Sequence, residues 1–154
     1  MTENQKFVYY DMQFEDRDDL LRFISKTLFK KGYVTESYEE KIIERENNYP
    51  TGLMLNGINI AICHAEPQYA KKNAIFVIKL KEPVLFRNAE NFEGLPVELV
   101  FGLVLTNGKD HLKVLQRLSQ LLLDNKNIDK IREINSRSGF VKFIDKHFGE
   151  IEEE

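Results

Sequence analysis

The sequence predicts an α/β fold, a single domain with a mixed β-sheet covered by helices on both faces, and three observations carry that prediction. The segments Ala74-Ile75-Phe76-Val77-Ile78 and Leu99-Val100-Phe101-Gly102-Leu103-Val104-Leu105 have no polar side chain on either face, a pattern of strands buried on both sides. Amphipathic helical patterns lie both before and after these segments, so helices are available for each face of the sheet. The chain has 154 residues and no internal repeat or low-complexity linker. At that length one domain buries roughly 70% of the surface its unfolded chain exposes.

The elements follow in order. Phe7, Val8, Tyr9 and Tyr10 suggest a first strand, and Asp16 then caps a helix with Leu20, Leu21, Ile24 and Leu28 on one face, ending at Gly32. Ser37 with Glu40 three positions on matches a capping box, opening a helix with Ile42 and Ile43 in its buried stripe. Pro50 ends that helix and places Arg45 in or just beyond its last turn, where a cation also suits the helix dipole. The chain turns at Thr51-Gly52, and after a short bridge residues 58–62 form a β-branched strand that delivers His64 at its end. Residues 74–80 and 97–105 are the two buried strands, Val84-Leu85-Phe86 reads as a short edge strand, and Asn88 to Gly94 as a polar turn. After Asn107-Gly108 a helix from about Asp110 carries Leu112, Leu115, Leu118, Leu121 and Leu122. Two further helical segments contain Ile128 and Ile131, then Phe140, Val141, Ile144 and Phe148. The core is expected over about residues 6–148, with a frayed acidic end at Glu150 to Glu154.

Composition narrows the function. The formal net charge of -3 comes from 22 basic and 25 acidic residues mixed along the chain, which leaves no broad cationic field for nucleic acid. No apolar run approaches the roughly 20 residues needed to span a bilayer, and Met1 to Gln5 lack the basic and apolar regions of a signal peptide. A soluble, cytoplasmic protein without direct membrane insertion is expected. The one cysteine, Cys63, has no internal disulfide partner.

Three histidines are available for chemistry. His147, beside Phe148 near the end of a helix, is explained by helix capping. His111 falls in the first turn of its helix, where the dipole opposes the protonated imidazole and favours a bound anion, although an exposed structural residue fits the same position. His64 adjoins Cys63, but neighbours on a strand point to opposite faces, so they form a poor thiol-imidazole pair and Cys63 is expected to be a buried structural thiol. His64, Glu66 and His111 match no standard zinc spacing, and no phosphate-binding glycine loop occurs. Phosphate chemistry remains open through histidine itself. A neutral imidazole can attack phosphorus, while an arginine and a second imidazole stabilise the phosphoryl oxygens. Arg45, His64 and His111 supply those parts.

Arg45-Glu46 through Pro50-Thr51-Gly52, then Ile60-Ala61-Ile62-Cys63-His64-Ala65, Pro96 to Phe101 and Asp110-His111-Leu112 together resemble the fructose/mannitol/galactitol class of enzyme IIA domains of the bacterial sugar phosphotransferase system. Pro-Thr-Gly-Leu-Met-Leu is closer to the galactitol branch. The resemblance implies that His64 accepts a phosphoryl group from the histidine phosphocarrier protein and passes it to a cysteine of enzyme IIB, for sugar uptake through the membrane enzyme IIC. It implies that His111 and Arg45 contact the phosphoryl group, that no cofactor is required, and that an apolar docking face surrounds His64. One position departs from the family, which usually has proline where this chain has Cys63. The change leaves the nucleophile in place but opens the loop to loosening, or to oxidation if the thiol is exposed. Two other readings share these residues: a regulatory enzyme IIA-like protein, which neighbouring genes would distinguish, and a metal-dependent hydrolase using His64 and His111.

Overall fold

The computed structural model describes residues 5–152, with side chains described through Phe148. The chain runs β1 (Gln5–Met12), α1 (Arg17–Lys30), α2 (Tyr38–Asn48), β2 (Gly52–Leu55), β3 (Ile58–His64), a short 3-10 turn (Pro67–Tyr69), β4 (Ala74–Arg87), β5 (Gly94–Val104), α3 (Gly108–Leu123), α4 (Asn125–Glu133) and α5 (Arg137–Glu152). The strands form one sheet in the order β1-β4-β5-β3-β2. β1 is parallel to β4 and β3 to β5, whereas β4–β5 and β2–β3 are antiparallel. The mixed sheet expected from sequence is therefore the one observed.

Helices cover both faces. Leu20, Leu21, Ile24 and Leu28 of α1 and Tyr38 and Ile42 of α2 pack with Ala61, Cys63, Phe76, Ile78 and Val100 on one side. Val114, Leu118 and Leu121 of α3, Ile128 and Ile131 of α4, and Phe140 and Ile144 of α5 pack with Ile60, Ile75, Val77, Leu99 and Phe101 on the other. Alternation along β3 thus sends Ala61 and Cys63 to the α1–α2 layer and Ile58 and Ile60 to the α3–α5 layer. Because β3 and β5 run in parallel, both end at the same edge of the sheet, where α3 begins.

Several expectations are corrected. Gly52–Leu55 is a strand paired with β3 rather than a bridge, and the two-residue Asn56-Gly57 loop closes the hairpin with Gly57 at φ +97°. The segment escapes a propensity reading because it has no β-branched residue. Val84-Leu85-Phe86 is the continuation of β4 and pairs with Val97, Pro96 and Leu95 of β5 after a register shift beyond Lys79. The Lys81-Glu82-Pro83 interruption is absorbed as an irregularity rather than ending the strand. The Ser37 capping box does not form: Ser37 already has helical angles and makes no side-chain cap bond, its hydroxyl meeting that of Thr35 at 3.1 Å instead. α3 starts at Gly108, two residues earlier than expected, because the Asn107 side chain caps it by accepting from the Asp110 N–H at 2.8 Å. α5 continues to Glu152, so His147 lies more than a turn from its end and is no cap; its ring packs 4.5 Å from that of Phe143. The side chains of the acidic end, expected to fray from Glu150, lie outside the described residues, as do Glu153 and Glu154 altogether.

Candidate active site

Each of the three singled-out side chains arrives from a different element. Arg45 stands in the last turn of α2, whose final carbonyl bonds are closed by the Tyr49 N–H donating to the Arg45 carbonyl at 2.7 Å. Beyond Pro50 the chain folds tightly back into β2, and Gly52 is required there: a Cβ on it would lie 2.5 Å from the Arg87 carbonyl oxygen. β3 then carries the chain to the sheet edge and ends at His64. His111 comes from the first turn of α3. That turn is fixed by a buried amide, since Asn73 donates to Asp110 at 2.8 Å while accepting from the Thr106 N–H at 2.9 Å and the Thr106 hydroxyl at 3.1 Å.

The three meet. The Arg45 Nε donates to His64 Nε2 at 3.1 Å, and the His64 and His111 rings lie 4.9 Å apart, tilted by 58°. The Arg45 Nη1 also donates to Glu66 Oε2 at 3.4 Å. The His64 Nδ1 faces the Ile62 carbonyl oxygen at 3.4 Å. These partners decide the tautomer. A carbonyl only accepts, so Nδ1 carries the hydrogen; a guanidinium only donates, so Nε2 presents its lone pair.

Electrostatics holds that form. Burial, then the Arg45 charge, then His111 push the His64 pKa down to about 4, against a smaller upward pull from the Ile62 carbonyl. His111 is lowered as well, by burial and by Arg45. Near neutral pH both imidazoles are uncharged, and Arg45 supplies a positive charge beside them. The arrangement can deliver a nitrogen lone pair to phosphorus and stabilise the anionic oxygens that gather there.

The opposite side of β3 is built differently. Glu46, only 2% exposed, accepts from the Thr51 N–H at 2.8 Å and the Thr51 hydroxyl at 3.0 Å, and the Cys63 thiol hydrogen-bonds it too. Burial raises the Glu46 carboxyl, and burial followed by the Glu46 charge raises the Cys63 thiol. Cys63 is fully buried, so it is the packing residue the strand alternation predicts and not an accessible thiol.

Comparison with known proteins decides the family. Residues 1–147 match the family described as phosphoenolpyruvate-dependent sugar phosphotransferase system, EIIA 2. The chain belongs to this EIIA family. It is 35% identical over 112 residues to the PTS system galactitol-specific EIIA component of Escherichia coli (strain K12), covering 73% of this chain and 75% of that protein. The mannitol-specific phosphotransferase enzyme IIA component of Bacillus subtilis (strain 168) is 26% identical over 133 residues, covering 84% and 87%. The fold is shared with the enzyme IIA of mannitol solved in complex with phosphorylated enzyme IIB from Escherichia coli, at TM-score 0.71 and 22% identity over 88% of this chain and 92% of that one. An EIIA domain is a phosphotransferase that carries a phosphoryl group on histidine, and the mixed sheet with two helical layers is the scaffold these solved structures share.

The candidate site contains more than the expected three residues. Glu66 and Tyr49 touch Arg45, Asn73 fixes the start of α3, and Glu46 ties the Pro-Thr-Gly turn to the end of α2. One of these had a sequence signal: Tyr38, Ile42 and Glu46 stand four apart and are all buried, so a carboxylate on the apolar stripe of α2 marks an interior partner. Among the described residues no group of three or more His, Cys, Asp or Glu side chains is placed to hold a metal ion, and no helix is long and apolar enough to cross a membrane.

Proposed function

We propose that His64 is the phosphorylated residue of this EIIA domain and that Nε2 is the reacting atom. The observation that carries the reading is the half-buried Nε2 lone pair, faced by the Arg45 guanidinium at 3.1 Å and flanked by the His111 ring. In the first step Nε2 forms a bond to phosphorus as the bond from phosphorus to the phosphohistidine of the histidine phosphocarrier protein breaks, its electron pair returning to that donor nitrogen. In the second a cysteine thiolate of enzyme IIB attacks phosphorus and the pair returns to Nε2. Nδ1 keeps its hydrogen on the Ile62 carbonyl throughout. Arg45 and His111 bind the phosphoryl oxygens, Arg45 through a guanidinium fork suited to them. No cofactor takes part.

The galactitol-specific relative at 35% identity supports uptake of galactitol or a similar sugar alcohol through a membrane enzyme IIC, with this domain in the cytoplasm. The solved mannitol complex with phosphorylated enzyme IIB supports the onward partner. Tyr49 and Leu112, adjacent in sequence to the site and 66% and 57% exposed, supply apolar surface for docking that keeps water from the labile P–N bond. Labelled phosphoenolpyruvate with the upstream enzymes should mark the wild type and leave His64→Ala unmarked; undiminished label on that variant would sink the assignment. His111→Ala should still be labelled at His64 but transfer onward about a hundredfold more slowly, as loss of one charge-stabilising donor does.

A further inference from the structure

Arg45 is held from three directions, and one of them is the reacting nitrogen. Its Nε donates to His64 Nε2 at 3.1 Å, its Nη1 donates to Glu66 Oε2 at 3.4 Å, and its guanidinium carbon lies 5.4 Å from the centre of the Tyr49 ring. The two hydrogen bonds leave from different nitrogens, so Glu66 does not occupy the donor that faces His64. Tyr49 follows α2 directly and Glu66 stands two residues beyond His64, so the grip on the guanidinium comes from both segments that carry the reacting groups. A long arginine side chain loses much rotamer freedom when it is fixed. One contact to His64 would leave that cost unmet at the moment of reaction. A 3.1 Å gap is the width of a single hydrogen bond, too narrow for phosphorus and its oxygens. The guanidinium must therefore draw back as the phosphoryl group arrives, while keeping its donors turned toward it.

We propose that Glu66, backed by Tyr49, is a positioning residue that aims the Arg45 guanidinium at the phosphoryl group on His64. The inference rests on the reading of His64 as acceptor. Glu66 acts through Arg45: its carboxylate holds Nη1, which sets the direction of Nε and leaves that edge free to meet phosphoryl oxygens. The pair is half exposed, at 30% and 54% for the two side chains, so its contribution to folding stability is small and its role is read in transfer rate.

The test is a double-mutant cycle on transfer from phosphorylated histidine phosphocarrier protein to this chain, measured with labelled phosphoryl groups. Glu66→Ala should slow transfer about threefold to tenfold, within the lower part of the range of couplings between contacting residues, with an unchanged thermal midpoint. Arg45→Ala combined with Glu66→Ala should be no slower than Arg45→Ala alone, since Glu66 has nothing left to aim. Wild-type transfer by Glu66→Ala overturns the proposal, and so does a Glu66→Ala loss that persists in full without Arg45. Should the alanine variant fold poorly, Glu66→Gln takes its place in the same cycle and is judged by the same outcomes. Label remaining on His64→Ala in the parallel assay would instead overturn the acceptor assignment, which separates the two failures.

Discussion

Cys63 and His64 are consecutive residues of one strand, and burial drives both toward the neutral form, with opposite chemical results. Burial raises the thiol, so Cys63 stays a protonated, wholly enclosed donor to Glu46. Burial lowers the imidazole, so His64 stays deprotonated at Nε2 and keeps a lone pair at the sheet edge. A neutral thiol is inert and a neutral imidazole is a nucleophile. The surroundings differ in kind as well. On the α1–α2 side the Thr51 donors and the thiol converge on one buried carboxylate. Around the His64 ring, Arg45, reaching from the last turn of α2, has five donors and two hydrogen-bonded partners in the described structure, which leaves capacity for an incoming anion. One side of β3 is closed by hydrogen bonds, and the other is left open to make them.

If that contrast is right, substitutions on the enclosed side should cost stability with transfer preserved, and those on the open side the reverse. The largest effect is expected from Glu46→Ala, which strands the Thr51 N–H, the Thr51 hydroxyl and the Cys63 thiol in the interior. Chemical denaturation should show a loss of about 3 kcal/mol, and a loss near zero would break the comparison. Next comes Arg45→Lys, where a point charge replaces the fork; transfer should slow about tenfold with no change in the denaturation midpoint. Cys63→Ala removes one donor and a small volume, so about 1 kcal/mol should be lost while labelling at His64 proceeds at the wild-type rate.

The comparison also predicts a pH dependence. The unfolded imidazole titrates near 6.5 and the folded one at about 4, so between these values the unfolded chain binds more protons. The contribution of His64 to stability is therefore present above about pH 6.5 and lost as pH falls toward 4. Imidazole resonances followed by NMR should show a His64 midpoint near 4, with His111 also below its ordinary value. A His64 midpoint at the ordinary value would mean that the open side is far wetter than its geometry implies.

How much of this was legible in the sequence depended on the range of the contacts. The apolar runs at 74–78 and 99–105 announced the central strands, because strands buried on both faces need no partner to be identified. Arg45, His64 and His111 stood out through local marks, a helix stop, a strand end and a helix start, and the ordered motifs joined them. Glu66 and Asn73 carried no such mark. Their partners lie 21 and 37 residues away, and only the crossing of the strands brings those segments together. β2 was hidden for a local reason: Gly52-Leu53-Met54-Leu55 is short and lacks strand formers, and its pairing with β3 overrides that weak preference. Ser37 failed in the other direction, matching a motif whose backbone conformation the turn does not provide.

Asn73 has a mechanical consequence. Its side chain joins three points of the chain: the residue before β4, Thr106 just past β5, and Asp110 in the opening turn of α3. At 1% exposure it has little water to exchange those bonds with. Sliding α3 along the sheet would have to break this rivet first. The spacing of the two imidazoles is thus set by an amide that touches neither of them.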